Sequence, residues 1–155
     1  MSDLASSTRT VEREVAADPE TIWQVLADGW LYPTWVVGAS RMREVDKSWP
    51  EVGSRLHHSV GNWPWLLDDR TEVLECRPGR LLRLKAHAWP AGAAEVVIEL
   101  DPQPGSSTLV RIREDASEGP ATFVPGPARQ LAIVPRNREA LRRLAFIAEG
   151  RAAGS

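Results

Sequence analysis

The sequence predicts an α+β fold: a curved antiparallel sheet of about seven strands wrapped around one C-terminal helix, with two short helices after the first strand. Three observations carry this. From Ala39 to about Asp115, apolar and polar residues alternate with a period near two, and turn signals interrupt them at short intervals. Consecutive strands joined by short turns make an antiparallel meander with one solvated face. The C-terminal stretch switches to helical spacing, with Leu141, Leu144, Ala145 and Ala148 on one stripe. One helix must then cover one large, half-apolar sheet. It cannot fill the whole wrap, so the gap at one end becomes a cavity.

The elements follow in order. In "TRTVEREVAA", Val11 and Val15 stand among charged neighbours, as in a strand with one wet face. In "ADPETIWQVLAD", Asp18 suits a helix cap, Pro19 the first helical position and Glu20 the positive helix end. Ile22, Val25 and Leu26 form its buried stripe, with Trp23 beside them as packing, and Gly29 is expected to end it. "WLYPTWVVG" gives a second short helix closed by Gly38. The next strands are "SRMREVDKSWPEVG", "SRLHHSVG" and "WLLDDRTEVLECRPG", in which Asp68-Asp69 reads as a solvated turn or bulge. In "RLLRLKAHAWPAG", Leu82, Leu84, Ala86 and Ala88 alternate with Arg83, Lys85 and His87. In "AAEVVIELDPQPG", Ala94, Val96, Ile98 and Leu100 share a face. In "SSTLVRIREDA", Val110 and Ile112 oppose Arg111 and Arg113. "EGPATFVPGPARQ" reads as a loop. The terminal stripe extends back through Asn137, Val134 and either Gln130 or Leu131, and Pro135 either kinks one long helix or separates two.

Composition narrows the function. The 155 residues predict a single domain spanning 1–155, with 1–7 and 150–155 frayed. A net charge of -2 gives no reason to expect nucleic acid or an anionic membrane as partner. Cys76 is the only cysteine, so neither an internal disulfide nor a CxxC metal or redox motif is available. No apolar run approaches the roughly 18 residues of a membrane span. "MSDLASSTRT" lacks the apolar core of a secretion signal, which makes the cytoplasm the expected address. Seven Trp against one Tyr and two Phe is unusual. Such enrichment fits either an aromatic-lined cavity or a Trp-rich core.

The element order is joined by Asp18-Pro19-Glu20, Ile22-Trp23, Leu26, Asp28, Pro33 and Trp35 near the start. Further on stand Gly53, "TEVLECRPGRLLRL", Glu114 at the acidic end of the last strand, and the closing "RNREALRRLA". Together these resemble the START-like superfamily, also labelled SRPBCC, and within it the polyketide cyclase/dehydrase and lipid-transport group. The resemblance spans nearly the whole chain and implies the helix-grip fold. That fold hosts lipid carriers, hormone binders and cyclases, commonly monomers or loose homodimers without metal or organic cofactor. The Pro-rich loop and Pro135 depart from the family's pattern. Both touch the cavity lid, so cavity size and entrance do not carry over.

Strand parity selects the candidate residues. Leu56, His58 and Val60 take the inner face of "RLHHSV", and His57 the outer. His58 is either a general acid or base or a neutral, hydrogen-bonded core histidine. Glu114, in step with Val110 and Ile112, points inward at a strand end. It either poises a proton transfer or pairs with a backbone N–H or an arginine. His58 and Glu114 are thus the catalytic candidates. Leu82, Leu84, Val96, Ile98, Val110 and Ile112 are expected to line the cavity. Trp35, Trp63, Trp65 and Trp89 fall near loops, where its mouth would lie, although Trp63-Pro64-Trp65 equally makes a rigid turn. Asn137 offers an amide either to a ligand or to an interhelical contact. Arg129 and Arg138 read as solvated. No metal site is expected, because adjacent strand histidines face opposite ways. The expected function is binding of an apolar or aromatic small molecule, as carrier, sensor or ligand chaperone. The alternative is a cofactor-free polyketide cyclase or dehydratase using a cavity His or Glu.

Overall fold

The computed structural model describes residues 8–37, 39–60, 67–88 and 92–154. Strand β1 (Val11–Val15) leads into α1 (Pro19–Ala27), a 3₁₀ turn (Gly29–Leu31) and α2 (Tyr32–Trp35). Six strands follow: β2 (Ala39–Val45), β3 (Arg55–Val60), β4 (Leu67–Arg77), β5 (Leu81–Ala88), β6 (Gly92–Gln103) and β7 (Ser107–Glu118). A second 3₁₀ turn (Pro120–Phe123) precedes α3 (Gly126–Ala153). All seven strands form one antiparallel sheet in the order β1-β7-β6-β5-β4-β3-β2. This is the α+β arrangement that the alternation and the terminal stripe predict.

The sheet is a meander with one addition. β1 does not join its sequence neighbour β2; it pairs with β7, Val11 opposite Ile112 and Val15 opposite Thr108. β1 and β2 thus end up at opposite edges, and α1 and α2 span the distance between them.

Local chemistry explains the helix ends. The Asp18 carboxylate accepts from the Thr21 N–H at 2.8 Å, with Pro19 and Glu20 in the first turn. α1 closes at Ala27 with Asp28 as its cap, one residue earlier than expected, because Gly29 opens the 3₁₀ turn instead. The Asp28 side chain accepts from Trp30 N–H in that turn. Gly38 lies outside the described residues. α3 is a single helix with Pro135 inside it, which decides between the two readings of that proline. Pro135 is exposed, so the carbonyl it leaves unbonded is not trapped in the core. The helix begins within the stretch read as a loop and continues to Ala153, through residues expected to fray.

The buried stripe of α3 is Gln130, Val134, Asn137, Ala140, Leu141, Leu144, Ala145 and Ala148. Leu131 is 72% exposed, so the stripe begins at Gln130. That choice has a polar reason: the Gln130 amide donates to Glu114 O at 2.9 Å and accepts from Arg9 N–H at 3.2 Å. It ties the helix start to β7 and to the segment before β1. Leu141, Leu144, Ala145 and Ala148 pack into one core with Ile22, Trp23, Val25 and Leu26 of α1 and with Leu82, Leu100 and Val110 of the sheet. Trp49 joins this core and its indole donates to Leu26 O at 3.2 Å.

Candidate functional site

The inner face of the sheet is graded along the strands. One cross-strand row runs Leu56, Thr71, Ala86, Ala94, Ala116. The next runs Leu84, Val96, Glu114, and the one after it Leu82, Ile98, Ile112. Side chains therefore shrink to alanine toward one end of the sheet. Above that end, α3 presents Ala132, Ile133, Asn137 and Ala140. The alanine row leaves space beneath the helix that larger inner-face side chains would fill. A mostly apolar, half-enclosed cavity of about 380 Å³ lies there, within the roughly 300–1,000 Å³ typical of small-molecule sites.

Tyr32, Trp35 and His58 line the cavity together. The Tyr32 and Trp35 rings meet edge to face at 5.4 Å, and the Tyr32 ring stacks on His58 at 5.6 Å. Thr71 Oγ1 lies 3.0 Å from His58 Nε2 and 3.3 Å from the Tyr32 hydroxyl, so one threonine links the two. Burial pushes the Tyr32 phenol up to about 12, which keeps it protonated. Burial also pulls His58 below its ordinary 6.5; the Asp69 carboxylate opposes this, while Arg43 and His57 add to it. His58 is thus a neutral imidazole at neutral pH.

Glu114 is buried and forms an ion pair with Arg136 of α3. One residue on, Asp115 takes Arg129 at 2.7 and 3.0 Å in a two-point bond that holds its carboxyl below the usual range. Arg129 also reaches Thr122 O and Val124 O, fastening the preceding loop to the helix. Arg129 is therefore a half-buried clamp rather than the solvated side chain the sequence suggests, because a buried carboxylate waits opposite it. Arg138 is exposed.

Three buried polar atoms among the described residues have no hydrogen-bond partner: Trp35 Nε1, His58 Nδ1 and Asn137 Nδ2. A buried polar group left unpaired costs about 1–3 kcal/mol. All three side chains line this one cavity.

The sequence profile described as "Polyketide cyclase / dehydrase and lipid transport" matches residues 7–149. The chain belongs to this family. No curated protein matches it. Solved structures share the fold at low identity. A protein from Nitrosomonas europaea is 17% identical with a TM-score of 0.71, over 97% of this chain and 99% of that one. StfQ, the di-domain ARO/CYC of the steffimycin biosynthetic pathway, is 14% identical with a TM-score of 0.73, over 95% of this chain and 52% of that one. Ara h 8.0201 is 12% identical with a TM-score of 0.65, over 96% of this chain and 99% of that one.

Within this family member, strand parity brings His58, Glu114, Leu84, Val96, Ile98 and Ile112 to the cavity, and Trp35 and Asn137 join them from the helices. Leu82 and Val110 are not among its lining residues; both are fully buried in the core cluster that includes residues of α1 and of the second half of α3. Trp63, Trp65 and Trp89 lie outside the described residues. Asp69 corrects the reading of Asp68-Asp69 as a solvated turn. It stands in β4 directly opposite His58 and is buried, because the strand begins at Leu67. Thr71 and Arg136 went unread in the sequence, and the pattern assigned Tyr32 no face. The alanines at 86, 94 and 116 were a legible signal of missing volume. His57 stays on the outer face, 3.7 Å from Asp46. No three described His, Cys, Asp or Glu side chains cluster so as to hold a metal ion. No described helix is long and apolar enough to cross a membrane.

The His58 environment has a pH consequence. Its folded value lies below the unfolded 6.5, so the unfolded chain takes up a proton that the folded chain resists. The stability that depends on a neutral His58 is complete above pH 6.5 and is lost as pH falls below it. His87 is shifted down too, chiefly by burial, and acts with the same sign. Tm is expected to fall between about pH 7.5 and about pH 5, the window in which histidines titrate. His58→Gln, which cannot titrate, should lessen that fall without removing it. An unchanged fall would assign the acid sensitivity to other groups.

Proposed function

We propose that this protein binds an apolar or aromatic small molecule in the cavity between the sheet, α2 and α3, as a carrier, sensor or chaperone for it. The observation that carries this reading is the row of inner-face alanines beneath α3, beside ligand-sized, mostly apolar space. With it go a cytoplasmic setting, a monomer or loose homodimer, and neither nucleic acid nor a cofactor as partner. Trp35, Leu84, Val96, Ile98, Ile112 and Asn137 supply the contact surface. The test is displacement. Nile red should bind with low-micromolar or weaker affinity and be released by polycyclic or fatty compounds. Absence of both binding and release ends the reading.

A second reading has its own observation. His58 is neutral, lines the cavity and is coupled through Thr71 to a protonated Tyr32. Such a chain suits a cofactor-free cyclase or dehydratase in which His58 moves a proton and the cavity folds the substrate. Glu114 is the weaker catalytic candidate, since Arg136 already holds its carboxylate. Wild-type protein that binds poly-β-keto compounds yet never accelerates their cyclisation or dehydration leaves the carrier reading alone standing.

A further inference from the structure

A second concavity, of about 480 Å³, shares no lining residue with the apolar cavity. Arg9, Val11 and Arg13 line it from β1 and the segment before it, and Val134, Arg138 and Leu141 line it from α3. The α3 residues follow one another at helical spacing, so Arg138 shares a face with its two apolar neighbours. Val11, Val134 and Leu141 are buried, and the three arginines are exposed. Arg13 has the parity of Val11 and Val15 and stands opposite Val110. It therefore occupies an inner-face position of the sheet edge, where alternation calls for an apolar side chain.

These arginines differ from those around them. Arg111, Arg113, Arg129, Arg136 and Arg142 each hold a carboxylate. Arg9, Arg13 and Arg138 make no ion pair or side-chain hydrogen bond among the described residues. The carboxylate that lines the cleft, Glu12, is already taken by Arg111 at 3.2 Å. Glu139, next to Arg138 in the chain, is held by Arg142 and Arg143. Three like charges thus meet in one cleft of a chain whose net charge is -2. Their mutual repulsion opposes the packing of β1 on α3 unless an anion answers it.

A planar carboxylate offers two oxygens to one guanidinium fork, whereas a phosphate group presents three strong acceptor oxygens on different sides. Forks arriving from two elements are better met by the second. We propose that the β1–α3 cleft is a second binding site, for the phosphate of a soluble phosphorylated small molecule held by Arg9, Arg13 and Arg138. A phospholipid headgroup carries the same chemistry. Docking on a bilayer, however, needs exposed apolar side chains beside the site, and every apolar residue lining this cleft is buried.

The test is calorimetric titration of the full chain with pyrophosphate, inorganic phosphate and citrate at low salt. Pyrophosphate should bind one to one with a Kd of about 1 mM or tighter, more tightly than citrate, and should weaken as salt is raised. Arg9→Gln, Arg13→Gln and Arg138→Gln should each weaken it about fivefold or more. Arg151→Gln removes the same charge from an exposed position of α3 outside the cleft and should cost less than about twofold. Thermal melts check that each variant folds. Vesicles containing phosphatidic acid should retain no more protein than phosphatidylcholine alone. Citrate binding as tightly as pyrophosphate would overturn the phosphate assignment. Equal losses in Arg151→Gln and the cleft variants would replace the site by diffuse charge attraction. Vesicle retention that is lost in Arg13→Gln would transfer the site to a lipid headgroup and overturn the soluble ligand. Absence of pyrophosphate binding, with Arg13→Gln self-associating at the β1 edge, would make the arginines guards of that edge and end the proposal. Nile red uptake reports on the other cavity, so failure here leaves the ligand-binding reading above intact.

Discussion

Ala94→Phe is expected to abolish ligand uptake while leaving the fold in place. Ala94 stands in the middle of the alanine row, flanked by Ala86 on β5 and Ala116 on β7. It lines the cavity, to which α3 contributes Ala132 and Ala140 beside larger residues. A phenyl ring there enters open space and need not displace packed atoms, so the usual overpacking penalty of about 1–3 kcal/mol should be largely avoided. The space it takes is the space a tricyclic ligand needs. Nile red and polycyclic competitors should bind at least about 100-fold more weakly, roughly 2.8 kcal/mol. Fluorescence titration measures the affinity and a thermal melt checks the fold. Undiminished affinity in a folded variant would move the binding site elsewhere. Leu82→Ala is the contrasting change. Leu82 is buried in the core cluster and is not among the cavity's lining residues, so its loss should destabilise the protein without removing a ligand contact.

The contrast between Leu82 and Ala94 marks what the sequence reveals. Both occupy inward positions, and alternation alone assigns the face correctly for each. Alternation does not say where the covering helix stops filling the wrap. That depends on the size of the side chains in successive cross-strand rows, hence on register. Register was implicit in the short turns between β5, β6 and β7, and the three alanines could have been aligned from it. Asp69 shows the opposite limit. Two adjacent aspartates look like a turn because a buried carboxylate is costly. Only the start of β4 at Leu67 puts Asp69 opposite His58 on the inner face. The Arg136–Glu114 pair was half legible: parity buried Glu114 and called for a partner, but the partner comes from a helix whose rotation Pro135 left open. The β1–β7 pairing joins strands about 100 residues apart, and no local pattern encodes it.

Gly92→Ala is expected to be severely destabilising. Gly92 opens β6 with φ +115°, a conformation that residues with a Cβ rarely adopt. The strand ends are also crowded there. Ala93 pairs with Glu118 and Ala94 with Ala116, so Ser117 is an extra residue in β7 and bends its end toward Gly92. A Cβ on Gly92 would lie 1.9 Å from Glu118 O and 2.6 Å from its carbonyl carbon. Those are backbone atoms of a paired strand, so the contact is relieved only by breaking the pairing at that corner. Backbone strain alone costs about 1–3 kcal/mol. With the clash added, the loss should be about 3 kcal/mol or more, a fall in Tm of roughly 6–12 °C for a chain of this size. Gly105→Ala separates the two contributions. Gly105 has φ +80° in the β6–β7 turn and open space where its Cβ would go, so it carries only the conformational part and should lose far less. Circular-dichroism melts of both variants decide the matter. Equal shifts would mean that the approach of Gly92 to Glu118 carries no weight, and that this corner of the cavity rim yields freely to a side chain.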